Sequence, residues 1–162
     1  MKIMLTGGTG FLGSYVLKNL LEKNHVVVLK RSSSDIGRIT KYLGRENCEA
    51  IDIDLVDIHM IVKDKEPEII IHTATSYGRN GNMDEIEDSN LTFPLKLLLA
   101  AIKCDSKAFI NTDTFFNERM GLETRNGGYS SASHAYVRTK KQFVRKAKKI
   151  INGSSLKFAN LV

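Results

Sequence analysis

A short apolar run, Ile3-Met4-Leu5, breaks into Thr6-Gly7-Gly8-Thr9-Gly10-Phe11-Leu12-Gly13, and apolar residues then recur at helical spacing through Leu12, Val16, Leu20 and Leu21. No other stretch restricts the fold as strongly, because strand, glycine turn and helix must follow one another without a spacer. Gly8, Gly10 and Gly13 fit G-x-G-x-x-G, while Gly7, Gly10 and Gly13 fit the wider T-G-x-x-G-x-x-G spacing. In such a turn the first glycine permits the tight bend and the middle one lets a diphosphate approach the backbone. The last lets the helix pack closely on the strand. The helix start then offers free N–H groups and a positive dipole end to an anion. A glycine turn without a ligand is the plainer alternative. Its position in the first strand–helix unit favours a dinucleotide, held at Thr6, Gly7, Gly10, Phe11, Leu12 and Gly13.

His25-Val26-Val27-Val28-Leu29 reads as the second strand, short and β-branched as suits a strand covered on both faces. An NAD site usually places an acidic residue at the end of this strand, for the ribose 2′-hydroxyl. Here Lys30-Arg31-Ser32-Ser33-Ser34 stands in that place. A carboxylate would repel a 2′-phosphate, whereas a guanidinium and hydroxyls bind it through charge-assisted hydrogen bonds. NADP is therefore expected over NAD, with Lys30, Arg31 and Ser32 as ligands; a solvated basic turn is the alternative. Residues 35–43 are expected to form a short helix. Residues 48–53 read as the third strand, with Asp52 placed to accept from an adenine amino group or to cap the next helix. Asp54 is the expected cap of a helix striped by Leu55, Ile58, Ile61 and Val62. Residues 68–72, Glu68-Ile69-Ile70-Ile71-His72, form the fourth strand. Alternation of this kind implies an α/β fold with a parallel, doubly wound sheet.

The 162 residues are one domain's worth of chain, enough to bury about 70% of its unfolded surface. No apolar run approaches membrane-spanning length. Met1-Lys2 leads straight into a strand rather than into a signal peptide's apolar core, so a cytoplasmic protein is expected. Cys48 and Cys104 make neither a metal spacing nor a disulfide framework, which fits a reducing compartment and no metal. Much of the net charge of +6 lies in one helix-like run, residues 138–149, and reads as a solvated face. Neither an aromatic-rich nor a helix-turn-helix pattern accompanies it, so nucleic acid is not an expected partner.

His72-Thr73-Ala74-Thr75-Ser76-Tyr77-Gly78 follows the fourth strand on the ligand-bearing edge. Ala74 is small enough for a dinucleotide to lie across it, and His72 reads as hydrogen-bonded scaffold rather than a catalyst. Residues 79–82 are expected to turn, and residues 83–103 to form a long helix that Pro94 kinks or breaks. Leu91, Leu95, Leu98 and Leu99 give that helix an apolar face for the core or for a second subunit. Residues 108–111 form the fifth strand, ending in Thr112-Asp113-Thr114. Residues 118–133 are the longest loop, and residues 135–151 return to helix before a sixth strand near residues 156–161. Tyr136 and Lys140 lie i, i+4 on that helix and so share a face. A phenol titrates near pH 10, and a neighbouring ammonium is expected to lower that value toward useful acid–base chemistry. Thr114 is placed to hydrogen-bond the same substrate oxygen.

Together these pieces resemble the extended short-chain dehydrogenase/reductase family of nucleotide-sugar epimerases, dehydratases and reductases. The matching segments are Thr6 through Gly13, Asp52-Ile53, His72-Thr73-Ala74-Thr75, Asn90-Leu91, Thr112-Asp113-Thr114, and Tyr136 with Lys140. The resemblance implies a Rossmann fold with strand order 3-2-1-4-5-6. It makes Tyr136 the acid/base, Lys140 its pKa-lowering and ribose-binding partner, and Thr114 the partner of the substrate oxygen. It adds Ile53, Ala74, Thr75, Asn90, Thr112 and Tyr136 itself to the cofactor contacts, with Asn90 holding the helix and an active-site water. Residues 71–78, 93–98 and 109–116 look most like members that reduce, with NADPH, the 4-keto group of a CDP-3,6-dideoxyhexose for O-antigen. The family also implies a homodimer through a four-helix interface of residues 83–103 and 135–151. Family members carry a substrate-binding lobe beyond the sixth strand that is absent from this chain. Residues 1–162 are thus expected to be the cofactor domain of a two-lobed enzyme. Asp113 between two hydroxyl residues departs from the usual family pattern. Epimerisation or dehydration of a nucleotide sugar is the runner-up, and Phe115-Phe116 count against dehydration because they replace the expected Asp-Glu pair. A non-catalytic NADP-binding module is the alternative from another class, disfavoured by the presence of Tyr136 and Lys140.

Overall fold

Three apolar runs place the centre of the sheet. In the computed structural model, which describes residues 1–78, 82–116 and 131–162, they are β1 (Lys2–Thr6), β2 (His25–Lys30) and β4 (Ile69–His72). β3 (Cys48–Asp52), β5 (Ala108–Thr112) and β6 (Lys157–Leu161) complete a six-stranded sheet in the order β3-β2-β1-β4-β5-β6. Every strand pairing is parallel. In the central register Met4 faces Val27 on one side and Ile70 on the other. Side chains alternate between the faces, so the sheet carries two cores. Met4, Val27, Ile70 and Phe109 pack beneath α2 (Ile58–Lys65), α4 (Phe93–Lys103) and α5 (Ser131–Ile150). Leu5, Val26 and Val28 pack on the other face with Leu17 and Leu21, at and just beyond α1 (Phe11–Leu20), and with Ile39 and Tyr42.

Local chemistry redraws several expected elements. Residues 35–43 hold only a single 3-10 turn, Thr40–Tyr42. The Asp35 carboxylate accepts from the Gly37 N–H at 2.8 Å, a local bond that competes with helix, and Ile39 and Tyr42 are buried from the connection itself. α2 is capped by Asp57, which accepts from His59 N–H at 2.8 Å, and not by Asp54. Asp54 instead accepts from Ser32 N–H at 2.7 Å, and Leu55, now outside the helix, is exposed. Residues 83–103 form three pieces: α3 (Met83–Glu87), a π-helical turn (Asp88–Thr92) and α4. Pro94 sits in the first turn of α4, where its missing N–H and ring bulk favour the wider turn before it. Leu91 and Leu98 are buried, Leu95 packs partly against the core, and Leu99 is exposed.

α5 starts at Ser131, four residues earlier than expected. Its Arg138, Arg145, Lys146, Lys148 and Lys149 are exposed while Phe143 and Ala147 are buried, so the basic run is largely a solvated face; Lys140 is the buried exception. Among the described residues no helix is long and apolar enough to cross a membrane, and no cluster could hold a metal. Both cysteines are free thiols. Of the turn expected over residues 79–82, residues 79–81 lie outside the described residues, and so do residues 118–130 of the loop expected over 118–133.

Candidate functional site: a cleft at the carboxyl edge of the sheet

β1 ends in Thr6, and the chain there must turn sharply to enter α1. Gly7 has φ +72°, and a Cβ on it would stand 2.5 Å from Ala74 N. A Cβ on Gly13 would stand 2.0 Å from the Gly7 carbonyl oxygen. The first and last glycines thus let the turn lie against the exit of β4 and let α1 settle on the turn, as the Gly7, Gly10, Gly13 spacing implies. The space at Gly8 is filled by Val28, whose Cγ1 would lie 2.8 Å from a Cβ there. Gly10 is the N-cap of α1, with no side-chain cap and no acidic residue in the first turn. The leading N–H groups of α1 are therefore left for an anion at the cleft. Phe11 and Leu12 are exposed on the cleft wall.

Hydroxyls lace the turn to β4. Thr6 Oγ1 lies 2.7 Å from His72 Nδ1 and accepts from Ala74 N–H at 3.3 Å, and Thr73 Oγ1 donates to the Thr6 carbonyl at 2.7 Å. His72 is buried, and burial, with Lys140 nearby, lowers its pKa to about 3. It is neutral scaffold, as expected. Asn90, buried in the π-helical turn, accepts from Thr75 Oγ1 and Ser76 N–H at 2.9 Å and donates to the Ser76 carbonyl at 2.8 Å. It holds the loop after β4.

The basic corner differs from its reading in sequence. Lys30 Nζ is paired with Asp52 Oδ2 at 2.9 Å, and this bond holds the Asp52 carboxyl below its ordinary pKa. The two residues are register neighbours on β2 and β3, so sheet pairing itself brings them together. Lys30 is thereby diverted from a phosphate. Asp52 Oδ1 is buried without a hydrogen-bond partner, and Asp52 stands behind Ile53 and Asp54, which line the cleft while it does not. The Ser32 N–H is taken by Asp54. Arg31 reaches Glu85 at 3.4 Å and also donates to Ser89. Arg38, which the sequence reading passed over, lines the same end of the cleft; a second basic residue shortly after Arg31 was the available signal.

At the other end, Tyr136 and Lys140 enter the cleft from α5. The Tyr136 hydroxyl hydrogen-bonds with Thr114 and with Tyr77, whose ring centroid lies 4.9 Å away. Burial pushes the Tyr136 phenol up rather than down; the Thr114 bond opposes this and Tyr77 reinforces it. The expected lowering by Lys140 is not realised, because its ammonium donates to the Thr112 carbonyl. Burial lowers the Lys140 pKa to about 8. Thr112 Oγ1 donates to the His72 carbonyl at 3.2 Å. The Asp113 carboxylate accepts from Thr114 N–H, Asn160 and Lys141, which makes it an anchor of this turn. Tyr77 had no signal in sequence; only the folded loop after β4 brings it onto Tyr136.

One cleft of about 910 Å³ contains both ends, together with Ile53, Ala74 and Thr75. That size suits a small-molecule or cofactor site. Glycines whose Cβ positions are filled by backbone and an uncapped helix start fit a dinucleotide. Sheet order and cleft define a Rossmann-type domain with its site at the switch between β1 and β4.

A family model described as the NAD dependent epimerase/dehydratase family matches residues 3–162, and the chain belongs to this family, which is NAD(P)-dependent. CDP-abequose synthase from Salmonella muenchen is 31% identical over 152 residues, covering 91% of this chain and 46% of that protein. CDP-abequose synthase from Salmonella typhimurium is 32% identical over 125 residues, covering 72% and 39%. The chain thus spans less than half the length of these two relatives. The UDP-glucuronic acid 4-epimerase from Bacillus cereus, solved with NAD, superposes with a TM-score of 0.78 at 19% identity, covering 99% of this chain and 54% of that one. This last likeness concerns the fold.

Proposed function

We propose that residues 1–162 form the cofactor domain of a two-lobed, cytoplasmic NADPH-dependent reductase. Its substrate is the 4-keto group of a nucleotide-activated deoxysugar, of the CDP-4-keto-3,6-dideoxyhexose type, in O-antigen sugar synthesis. The observation that carries this reading is one continuous cleft, with the uncapped start of α1 and Arg31 at one end and Tyr136 and Lys140 at the other. The likeness to CDP-abequose synthase across 91% of the chain supports the substrate class. The chemistry that NADPH would supply when bound in the cleft is a hydride for C4. The Tyr136 hydroxyl, kept protonated by burial, carries the proton that passes to the C4 oxygen, and the Thr114 hydroxyl holds that oxygen. Lys140 binds a ribose hydroxyl from the same face of α5. The enzyme pairs as a homodimer through α4 and α5, with Leu99 as an apolar contact.

Fluorescence titration with NADPH and NADH tests the cofactor. Charge-assisted contacts to a 2′-phosphate should make NADPH about tenfold tighter. Tyr136→Phe should weaken that binding far less than it slows reduction of a CDP-4-keto-deoxyhexose, which falls roughly 10²- to 10⁴-fold. A 4-epimerase using NAD is the second reading, favoured by the pairing of Lys30 with Asp52, which makes the corner less basic than its sequence. Tighter NADH would move the assignment there.

A further inference from the structure

Arg31 extends from the end of β2, while Glu85 and Ser89 belong to the α3 and π-helical segment that follows β4. In the sheet β1 lies between β2 and β4, and the glycine turn rises from its end. The contacts from Arg31 to Glu85 at 3.4 Å and to Ser89 therefore bridge the two sides of the crevice, and all three residues line the cleft. A dinucleotide at a switch point lies in that crevice. Lys30 is already paired with Asp52, so Arg31 is the basic member of the Lys30-Arg31 pair left to meet a 2′-phosphate.

We infer that Glu85 is a specificity-determining residue: with Ser89 it tethers Arg31 across the crevice, and a 2′-phosphate must displace Glu85 to be bound. The inference rests on the NADPH reading above. Arg31 and Glu85 are each a little over a third exposed, so their pair is weak enough to exchange. A phosphate offers the guanidinium a geometry of two parallel, charge-assisted bonds, stronger than one contact at 3.4 Å. NADH lacks that phosphate and gains nothing from a released Arg31. The tether therefore lowers affinity for NADPH and leaves NADH untouched, which makes Glu85 a control on the ratio between the two cofactors. Ser89 is buried beneath the guanidinium and fixes the direction in which Arg31 points.

The test is a fluorescence titration of the whole chain and its Glu85→Gln, Arg31→Ala and doubly substituted forms with NADPH and NADH. Glu85→Gln should tighten NADPH about 2- to 5-fold, the worth of an exposed ion pair, with NADH unchanged. In the Arg31→Ala background the same substitution should change neither cofactor, since the tether is already gone. An unchanged NADPH affinity in Glu85→Gln overturns the inference. So does an equal gain in both backgrounds, which would mean that Glu85 acts by simple repulsion of the phosphate. If Arg31→Ala leaves the NADPH-to-NADH ratio as it was, or if neither cofactor binds the folded chain, the cofactor reading itself fails and the inference with it.

Discussion

Lys140 is 3% exposed, and its ammonium donates to a neutral carbonyl, that of Thr112. Among the described residues no carboxylate forms an ion pair with it. A charge held in this way costs stability. Lys140→Met should therefore stabilise the chain at pH 7, by about 1–2 kcal/mol in urea unfolding, while weakening cofactor binding. The sign of the pH dependence follows from the lowered pKa of about 8, against an ordinary value of 10.5. Between these values the unfolded chain binds more protons than the folded one, so the native protein gains stability as pH rises. The advantage of Lys140→Met should shrink across pH 8 to 10.5, and an advantage that stays constant would refute the desolvation argument. The pairing of Tyr136 with Lys140 was legible because helical spacing alone puts both on one face. The direction of the Tyr136 shift was not, because it depends on burial and on where the ammonium of Lys140 turns.

The strand–turn–helix unit is the element on which the cleft is built. Its most constrained point is Gly13, where a Cβ would meet the Gly7 carbonyl at 2.0 Å, backbone against backbone. No rotamer can relieve that contact, so α1 must lift from the turn. Gly13→Ala is expected to cost roughly 2–4 kcal/mol in urea unfolding, and to weaken dinucleotide binding beyond what instability explains. The glycine spacing announced this element at once. The segment between β4 and β5 was harder to read. Pro94 announced a kink or break within residues 83–103, but not that it would take the form of a π-helical turn over Asp88–Thr92 with Asn90 buried in it. That turn aims Asn90 at the Thr75-Ser76 loop and Ser89 at Arg31. Hydrophobic periodicity carries no information about such a local widening.

In the molecule as a whole, His72 occupies the junction of the two halves of the sheet. It touches Thr6 on β1, and the rings of Phe93, Phe109 and Phe143 surround it at 6.2 Å. Its pKa of about 3, against an ordinary 6.5, means that the folded protein keeps it neutral where the unfolded chain protonates it. The stability it contributes is fully present above pH 6.5 and is lost as pH falls toward 3. Unfolding free energy should drop by about 1.4 kcal/mol per unit below pH 6.5, and His72→Gln should flatten this slope. An unaltered slope in the variant would assign the loss to other groups. Below pH 4.5 the carboxyls of Asp52, Glu68 and Asp113, all held below their ordinary values, should steepen the fall.

Glycine spacing, β-branched runs and the alternation of strand and helix determined the parallel sheet, its layering and the place of the cleft. Each is a local rule of backbone and burial that neighbouring residues enforce on one another. The tertiary structure decided which charges are free. Lys30 and Asp52 are 22 residues apart, Arg31 and Glu85 are 54 apart, and only strand order brings each pair within reach. Composition shows how many charges a chain carries. Whether a charge is available to a ligand depends on contacts between residues distant in sequence, and those exist only once the sheet has closed.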